Sequence, residues 1–238
     1  MPIKSRTKKP VAPAPPVPAA PARKRILLID DHPFMRAGLA QLINLQPELT
    51  VCCEAGNPAE AFQAIKKDRP DLVLSDLTMP GRSGLEFVKD LLAAEPKLPV
   101  LVVSMHDELV YAERALRAGA RGYIMKEAGG ENLLAAIRQV LRGEVYVSPR
   151  LSARILEGMS GGRPRGSSSP IAELTDREFE VFQMIGNGKS TRDIAAQLHL
   201  SPKTVDVHRG HIKEKLALKD STALIRHAVR WVETQGRE

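Results

Sequence analysis

The sequence predicts an α/β domain built on a five-stranded parallel sheet, followed by a smaller all-α domain. Three observations carry that expectation. Between residues 26 and 147, five short runs rich in branched residues alternate with helical patterns, as a parallel sheet covered on both faces requires. Residues 160–170 then read Ser-Gly-Gly-Arg-Pro-Arg-Gly-Ser-Ser-Ser-Pro, which is flexible, polar linker composition. Beyond it, residues 171–238 keep a helical period with no strand signal.

The elements follow in order. Residues 1–25 read as an extended, solvated tail, because Pro10, Pro13, Pro15, Pro16, Pro18 and Pro21 alternate with Ala and Val. Its basic start invites comparison with a secretory signal, but no apolar helical stretch follows. Strands are expected at Ile26–Ile29, Val51–Glu54, Leu72–Ser75, Val100–Ser104 and Gly122–Met125. Pro33 sits in the first turn of a helix running to about Leu45. Asn57-Pro58-Ala59-Glu60 supplies a cap, an N1 proline and an N3 glutamate, and Ser83-Gly84-Leu85-Glu86 reads as a second capping box. Further helices are expected at about 108–118, 130–142 and 150–158. The resulting division is a tail at 1–25, an α/β domain at 26–147, a linker at 148–170 and a helical domain at 171–238.

The helical domain has its own grammar. Thr175-Asp176-Arg177-Glu178 is a capping box, and Gly186-Asn187-Gly188 closes the helix that it opens. Ser190 caps a second helix, His199-Leu200 makes a turn, and Ser201 caps a third with Pro202 at N1. Helix, tight turn and helix is the arrangement that sets a recognition helix in a DNA major groove. On the third helix Val205, His208, Ile212 and Leu216 form the inward face, and Lys203, Asp206, Val207, Gly210 and Lys213 lie opposite. An amphipathic helix of a protein-binding bundle would share this pattern. A last helix at about 220–232, with Ala223, Leu224, Ala228, Val229 and Trp231, completes the bundle or contributes to a dimer surface.

Composition narrows the classes. Hydrophobic residues make up 43% and charged residues 26%, a globular balance, and aromatics are only 4%, so the cores must be aliphatic. No apolar run approaches the roughly 20 residues that cross a bilayer. The two cysteines, Cys52 and Cys53, are adjacent and cannot staple a disulfide framework or a multi-cysteine zinc site, so a reducing, cytoplasmic setting is expected. The net charge of +7 resides wholly in residues 1–25, which hold seven basic side chains and no acid. The argument for DNA therefore rests on local pattern: residues 201–219 carry five basic against two acidic side chains.

The chemistry gathers at the ends of the expected strands. Asp30 and Asp31 end the first, Asp76 the third, Ser104 the fourth and Lys126 the fifth. In an open parallel sheet these carboxyl ends face one crevice. Each residue alone is ordinary: an aspartate after a strand is usually a loop residue or a helix cap, and a lysine is usually solvated. Together they are specific. Crowded carboxylates call for a hard cation such as Mg²⁺, and one of them could accept a phosphoryl group. Lys126 and the cation would then neutralise its charge, and the Ser104 hydroxyl could donate to it.

"LLIDDHPFMRAGL", "DLVLSDLTMPGRSGLEFV", "VLVVSMHDE" and "GARGYIMKEA" resemble the receiver domain of bacterial two-component response regulators over about residues 25–147. The resemblance implies the flavodoxin-like, doubly wound form of the sheet. It implies Asp76 as phospho-acceptor, and Asp30, Asp31, Asp76 and the Thr78 backbone carbonyl as the Mg²⁺ ligands. Ser104, Tyr123 and Lys126 become the phosphoryl-contact and switch residues, with Tyr123 moving inward on activation. A sensor histidine kinase is the implied donor, and the only turnover is slow self-dephosphorylation. Thr78 and His106, two residues after Asp76 and Ser104, flank the pocket at positions that tune the lifetime of the phosphoryl group; for His106 a solvated loop residue is an equal reading.

"LTDREFEVFQMIGNGKSTRDIAAQLHLSPKTVDVHRGHIKEKL" is similar to the LuxR-type helix-turn-helix domain. The pair of domains resembles the NarL/FixJ subfamily of transcription regulators. That resemblance implies promoter DNA as a partner, with Asp206, Val207 and Gly210 reading bases, Lys203, Thr204 and Arg209 contacting the backbone, and Lys213 on the same face. It also implies a homodimer on phosphorylation or on DNA, and no membrane partner. Asp206 and Gly210 stand where basic residues are frequent, so the operator is expected to differ; His208 is expected in the core. Two alternatives remain at this stage: a Mg²⁺-dependent aspartyl-phosphate hydrolase, and a DNA-binding regulator whose receiver works without phosphorylation. Asp76-Leu77-Thr78 lacks the second carboxylate that such hydrolases use as general acid.

Overall fold

The computed structural model describes residues 23–79, 83–160 and 170–235. The strands are β1 (Lys24–Ile29), β2 (Leu49–Ala55), β3 (Leu72–Ser75), β4 (Val100–Ser104) and β5 (Gly122–Met125). They form one parallel sheet in the order β2-β1-β3-β4-β5. Around it lie α1 (Pro33–Asn44), α2 (Pro58–Asp68), α3 (Gly84–Ala94), α4 (Glu108–Arg117) and α5 (Gly130–Leu141). Next come α6 (Pro149–Ser160) and the helical domain of α7 (Asp176–Gly186), α8 (Thr191–Gln197), α9 (Pro202–Lys215) and α10 (Ser221–Gln235).

Strand alternation sorts the residues into two layers. Ile26, Leu28, Leu72, Leu74, Leu101 and Val103 pack with Ile43 of α1 and with Leu133, Ile137 and Val140 of α5. Leu27, Ile29, Val73, Val100 and Val102 face the other way, toward Ile65 of α2, Phe87, Val88 and Leu91 of α3 and Tyr111 and Ala112 of α4. Burial on both faces explains why these strands read as unbroken apolar runs rather than as alternating ones. Strand order reverses between β1 and β3, so the crevice at their carboxyl ends is the place where a ligand fits.

The residues of the expected tail from 1 to 22 lie outside the described residues, as do 161–169 of the expected linker. Arg23, Lys24 and Arg25 do not behave as tail: β1 begins at Lys24, the Arg25 amide donates to Asp71 Oδ2 at 2.8 Å, and the Arg23 guanidinium donates to the Gln46 carbonyl at 2.8 Å. The capping box expected at Ser83 also fails. Ser83 makes no side-chain cap for α3, because its hydroxyl instead donates to Glu180 Oε1 at 2.8 Å, a contact 97 residues away in sequence.

In the helical domain, the Thr175/Glu178 and Ser190/Asp193 capping boxes form at α7 and α8, and the Ser201 hydroxyl caps α9 by accepting from the Thr204 amide at 3.0 Å. His199, at φ 52, makes the tight turn between α8 and α9. Val205 and Ile212 of α9 are fully buried against Phe179, Phe182, Ile194, Leu224 and Ala228. One apolar cluster runs through both domains, because α7 docks on α3 and α4 with the Tyr111 and Phe179 rings edge to face at 5.4 Å.

Candidate functional site

β1 and β3 deliver their terminal aspartates to the crevice because hydrogen bonding carries each strand up to them. The Asp76 amide donates to the Ile29 carbonyl at 2.8 Å, and the Asp30 amide donates to the Ala55 carbonyl at 3.2 Å. Asp30 and Asp76 are 2% and 3% exposed, deep for carboxylates. Lys126, just past β5, answers both: its ammonium lies 2.6 Å from Asp30 Oδ2 and 2.9 Å from Asp76 Oδ2. Ser104, at the end of β4, is fully buried, and its hydroxyl accepts from the His106 amide at 3.3 Å.

Three carboxylates sharing one ammonium leave this crevice with excess negative charge. Burial pushes the Asp76 carboxyl above its ordinary range, Lys126 pulls it part of the way back, and neighbouring Asp30 pushes it up again. Burial lowers the Lys126 amine, but the hydrogen bond to Asp30 and the charge of Asp76 more than offset this and hold it raised. Burial also depresses His106, with Lys126 adding to the effect.

A hard cation fits the donors. Asp30, Asp31, His32 and Asp76 bring ligand atoms within 4.8 Å of one another. The two aspartates that follow β1 do not cap α1, although Asp30 Oδ1 accepts from the His32 amide at 2.8 Å. Asp31 Oδ1 is sealed from solvent with no hydrogen-bond partner; His32 Nδ1 lies 2.6 Å away but not in hydrogen-bonding geometry. A sealed carboxylate oxygen that makes no hydrogen bond is costly unless something positive meets it, and a cation would meet it as the His32 ring can. The all-oxygen character of the acids suits a hard divalent ion.

In the helical domain, α9 leaves Lys203, Asp206 and Val207 in solvent, and Thr204, Gly210 and Lys213 half-buried. Val207 is 49% exposed. A Cβ at Gly210 would meet nothing within 4 Å, so this stretch of helix offers room for close approach.

Two comparisons place the whole arrangement. The response regulator receiver domain matches residues 26–138, and the luxR family of bacterial regulatory proteins matches residues 172–228. The oxygen regulatory protein NreC of Staphylococcus carnosus TM300 is 33% identical over 210 residues, covering 87% of this chain and 97% of that protein. NreC of Staphylococcus aureus RF122 is 36% identical over the same span. The chain belongs to the LuxR-type two-component response regulators. Among solved structures, a LuxR-family response regulator from Aurantimonas sp. SI85-9A1 shares 34% identity over 58% of this chain and 99% of its own, with a TM-score of 0.55. RcsB of Salmonella typhimurium, 21% identical with a TM-score of 0.63 over 88% of the chain, shows the same fold.

The regulator thus pairs a receiver with a helix-turn-helix domain, and its family comprises DNA-binding regulators, not enzymes of the hydrolase type. Asp30, Asp31, Asp76 and Lys126 converge in the receiver as their strand-end positions predict, and Ser104 ends β4, the strand next to β3. Thr78 sits at the rim, with its hydroxyl 3.3 Å from His106 Nε2. Tyr123 is not poised outside: its ring is fully buried and its hydroxyl donates to the His106 carbonyl at 2.7 Å. Arg209, expected at the DNA backbone, is engaged within the domain, where it donates to Thr191 Oγ1 at 2.7 Å and ties α9 to α8. His208 is half-buried, with Nδ1 sealed and unpartnered, and burial depresses its imidazole.

Several functional neighbours escape a reading of the sequence. The His106 ring stacks on Tyr111 at 4.5 Å, and the Tyr111 hydroxyl donates to Gln183 Oε1 of α7 at 2.5 Å. The Arg114 guanidinium donates to the Ile171 carbonyl at 2.8 Å, pairs with Asp176 at 3.3 Å and lies 3.9 Å over the Phe179 ring. Lys89 of α3 meets the same Asp176 at 2.7 Å. Gly84 supports the acceptor loop directly, since any Cβ there would collide with the backbone of Leu77, the residue after Asp76. The only sequence signal was Gly84 itself, read there as part of a cap.

Proposed function

We propose that Asp76 accepts a phosphoryl group from a sensor histidine kinase and that this modification controls promoter binding by the helix-turn-helix domain. A carboxylate oxygen of Asp76 attacks phosphorus, the P–N bond of the donor phosphohistidine breaks, and the imidazole takes the electron pair as it leaves. The Leu77 amide holds Asp76 Oδ1 at 2.7 Å, which fixes the carboxylate plane and leaves Oδ2 as the attacking oxygen. Lys126 then follows the charge from Asp76 Oδ2 onto the phosphoryl group, while the Ser104 hydroxyl turns from the His106 amide to donate to it. Mg²⁺, held by Asp30, Asp31, Asp76 and the Thr78 carbonyl, would supply the positive charge that lets anionic groups meet. Hydrolysis by water ends the signal slowly.

The phosphoryl group adds about −1.5 to −2 charges. Its effect leaves the pocket through His106, which touches Thr78 on one side and stacks on Tyr111 on the other. Tyr111 and Arg114 hold α7, so a shift of His106 loosens the helical domain and frees it to form a twofold dimer on DNA. In that state Lys203, Thr204 and Lys213 approach phosphates and Asp206, Val207 and Gly210 approach base edges. Arg209 does so only after releasing Thr191. A cytoplasmic site of action follows from the kinase and the DNA. The observation that carries the reading is the ammonium of Lys126 bridging two buried carboxylates beside a third, Asp31. Acetyl phosphate tests it. Intact mass should show one phosphoryl group on the parent protein and none on Asp76→Asn, and equal labelling of both would remove Asp76 from the role.

A further inference from the structure

Neighbouring side chains on a regular strand point to opposite faces, which would keep the sulfurs of Cys52 and Cys53 apart. On β2 they do not. Ile26 pairs with Val51 but Leu27 pairs with Cys53, so Cys52 is the extra residue of a β-bulge. The bulge turns both side chains together, and the sulfurs lie 3.2 Å apart. Both residues are half-buried on β2, which lies at the sheet edge, so small oxidants have access. Neither sulfur serves the phosphoryl pocket or the DNA face.

We propose that Cys52 and Cys53 form a reversible thiol–disulfide site, closed by hydroperoxides, that acts on the acidic pocket through the β1–β2 ladder. Burial pushes the Cys53 thiol up to about 12, which disfavours Cys53 as the first attacker. With hydrogen peroxide, the Cys52 sulfur attacks one oxygen, the O–O bond breaks, and the leaving hydroxide takes up the proton shed by the Cys52 thiol, giving a sulfenic acid and water. The Cys53 sulfur then displaces the sulfenic oxygen as a second water, forming the S–S bond. Two thiols lose two electrons, and the peroxide gains them. Adjacent Cα atoms stand about 3.8 Å apart, below the usual window of roughly 4.4–6.8 Å for bridged cysteines. The closed ring is therefore strained and readily reduced, as befits a transient disulfide in a reducing compartment. Its strain falls on the bulge, directly before the pairs Leu28–Glu54 and Ile29–Ala55 and the Ala55 carbonyl that anchors the Asp30 amide.

The chain contains no other cysteine, so thiol counting is unambiguous. Reduced protein is treated with hydrogen peroxide, unfolded and capped with N-ethylmaleimide. The expected product is a monomer lighter by two hydrogens that takes no maleimide, and dithiothreitol should restore two reactive thiols. Two maleimides after peroxide, oxygen-bearing sulfinic or sulfonic products, or an intermolecular dimer on a non-reducing gel would each overturn the site. Hydrogen–deuterium exchange reads the coupling without requiring phosphorylation: the Asp30 amide should exchange about threefold faster or more in the oxidised protein. Unchanged protection at Asp30, or an equal change in peroxide-treated Cys52→Ser, would overturn the link to the pocket.

Discussion

At the scale of residues, Lys126 is the counter-charge for two buried carboxylates, and its removal shows what the crevice is built to hold. Removing one partner of a buried ion pair costs about 3–5 kcal/mol, because the remaining charge has nothing to meet. Lys126→Met should therefore lower the thermal midpoint and slow labelling by acetyl phosphate. Millimolar Mg²⁺ should raise the midpoint of this variant more than that of the parent protein, since a bound cation replaces the lost ammonium. Calorimetry with and without Mg²⁺ decides; equal shifts in both proteins would mean that the ion binds elsewhere. The acids, Ser104 and Lys126 were legible in the sequence because a parallel sheet sends every strand end to one rim, so their positions along the chain imply a common place. Gly84 and Tyr111 were not legible. Gly84 matters for the atom that it lacks against the Leu77 backbone, and Tyr111 for a ring and a glutamine that meet only after the domains dock.

At the scale of elements, the five strands, α1, α2, α4 and α5 and the three helices opening at Thr175, Ser190 and Ser201 agree with their local signals, because caps and apolar runs act over a few residues. Ser83 shows the limit: its local partner lost to Glu180 of α7, a long-range competitor. The β2 bulge was also invisible, since register depends on the neighbouring strand. α7 offers a test through Glu178. Burial works to raise its carboxyl, but the Lys215 ammonium at 2.6 Å and the Thr175 amide and hydroxyl hold it below its ordinary range. A carboxylate with a lowered folded pKa adds stability that is present above its unfolded value, about 4.3, and lost as pH falls through the folded one. Acid unfolding of the helical domain should therefore steepen below about pH 4.3, and Glu178→Gln should flatten that limb. Circular dichroism melts of both proteins between neutral pH and pH 3 measure the difference. A variant that keeps the parent's acid limb would show that another group sets it.

At the scale of the whole molecule, the question is what docking of the two domains withholds. The receiver grips α7 through Tyr111, Arg114, Lys89 and Ser83, and a cavity of about 190 Å³ lies between Thr78 and His106 on one side and Gln183, Leu198 and His199 on the other. Lys203, Asp206 and Val207 nevertheless remain in solvent while this grip holds. A ligand shifts an equilibrium only through its different affinities for the two states. If docked and released forms present the same reading face, generic duplex DNA cannot tell them apart. Arg114→Ala combined with Tyr111→Phe removes the charged and phenolic contacts to α7, yet it should change affinity for a non-specific duplex by less than about twofold. On the proposed mechanism, two helical domains pair only when each is free of its receiver, so cooperative binding to a promoter fragment should rise in the same variant without phosphorylation. Removing Lys213 provides the control, because the loss of one phosphate contact should lower the slope of log affinity against log salt by about 0.9 in either form. Titrations by fluorescence anisotropy over a series of salt concentrations separate the outcomes. A large gain on generic DNA in the released variant would mean that the receiver blocks the reading face itself, and an unchanged cooperativity would mean that the grip on α7 does not restrain assembly.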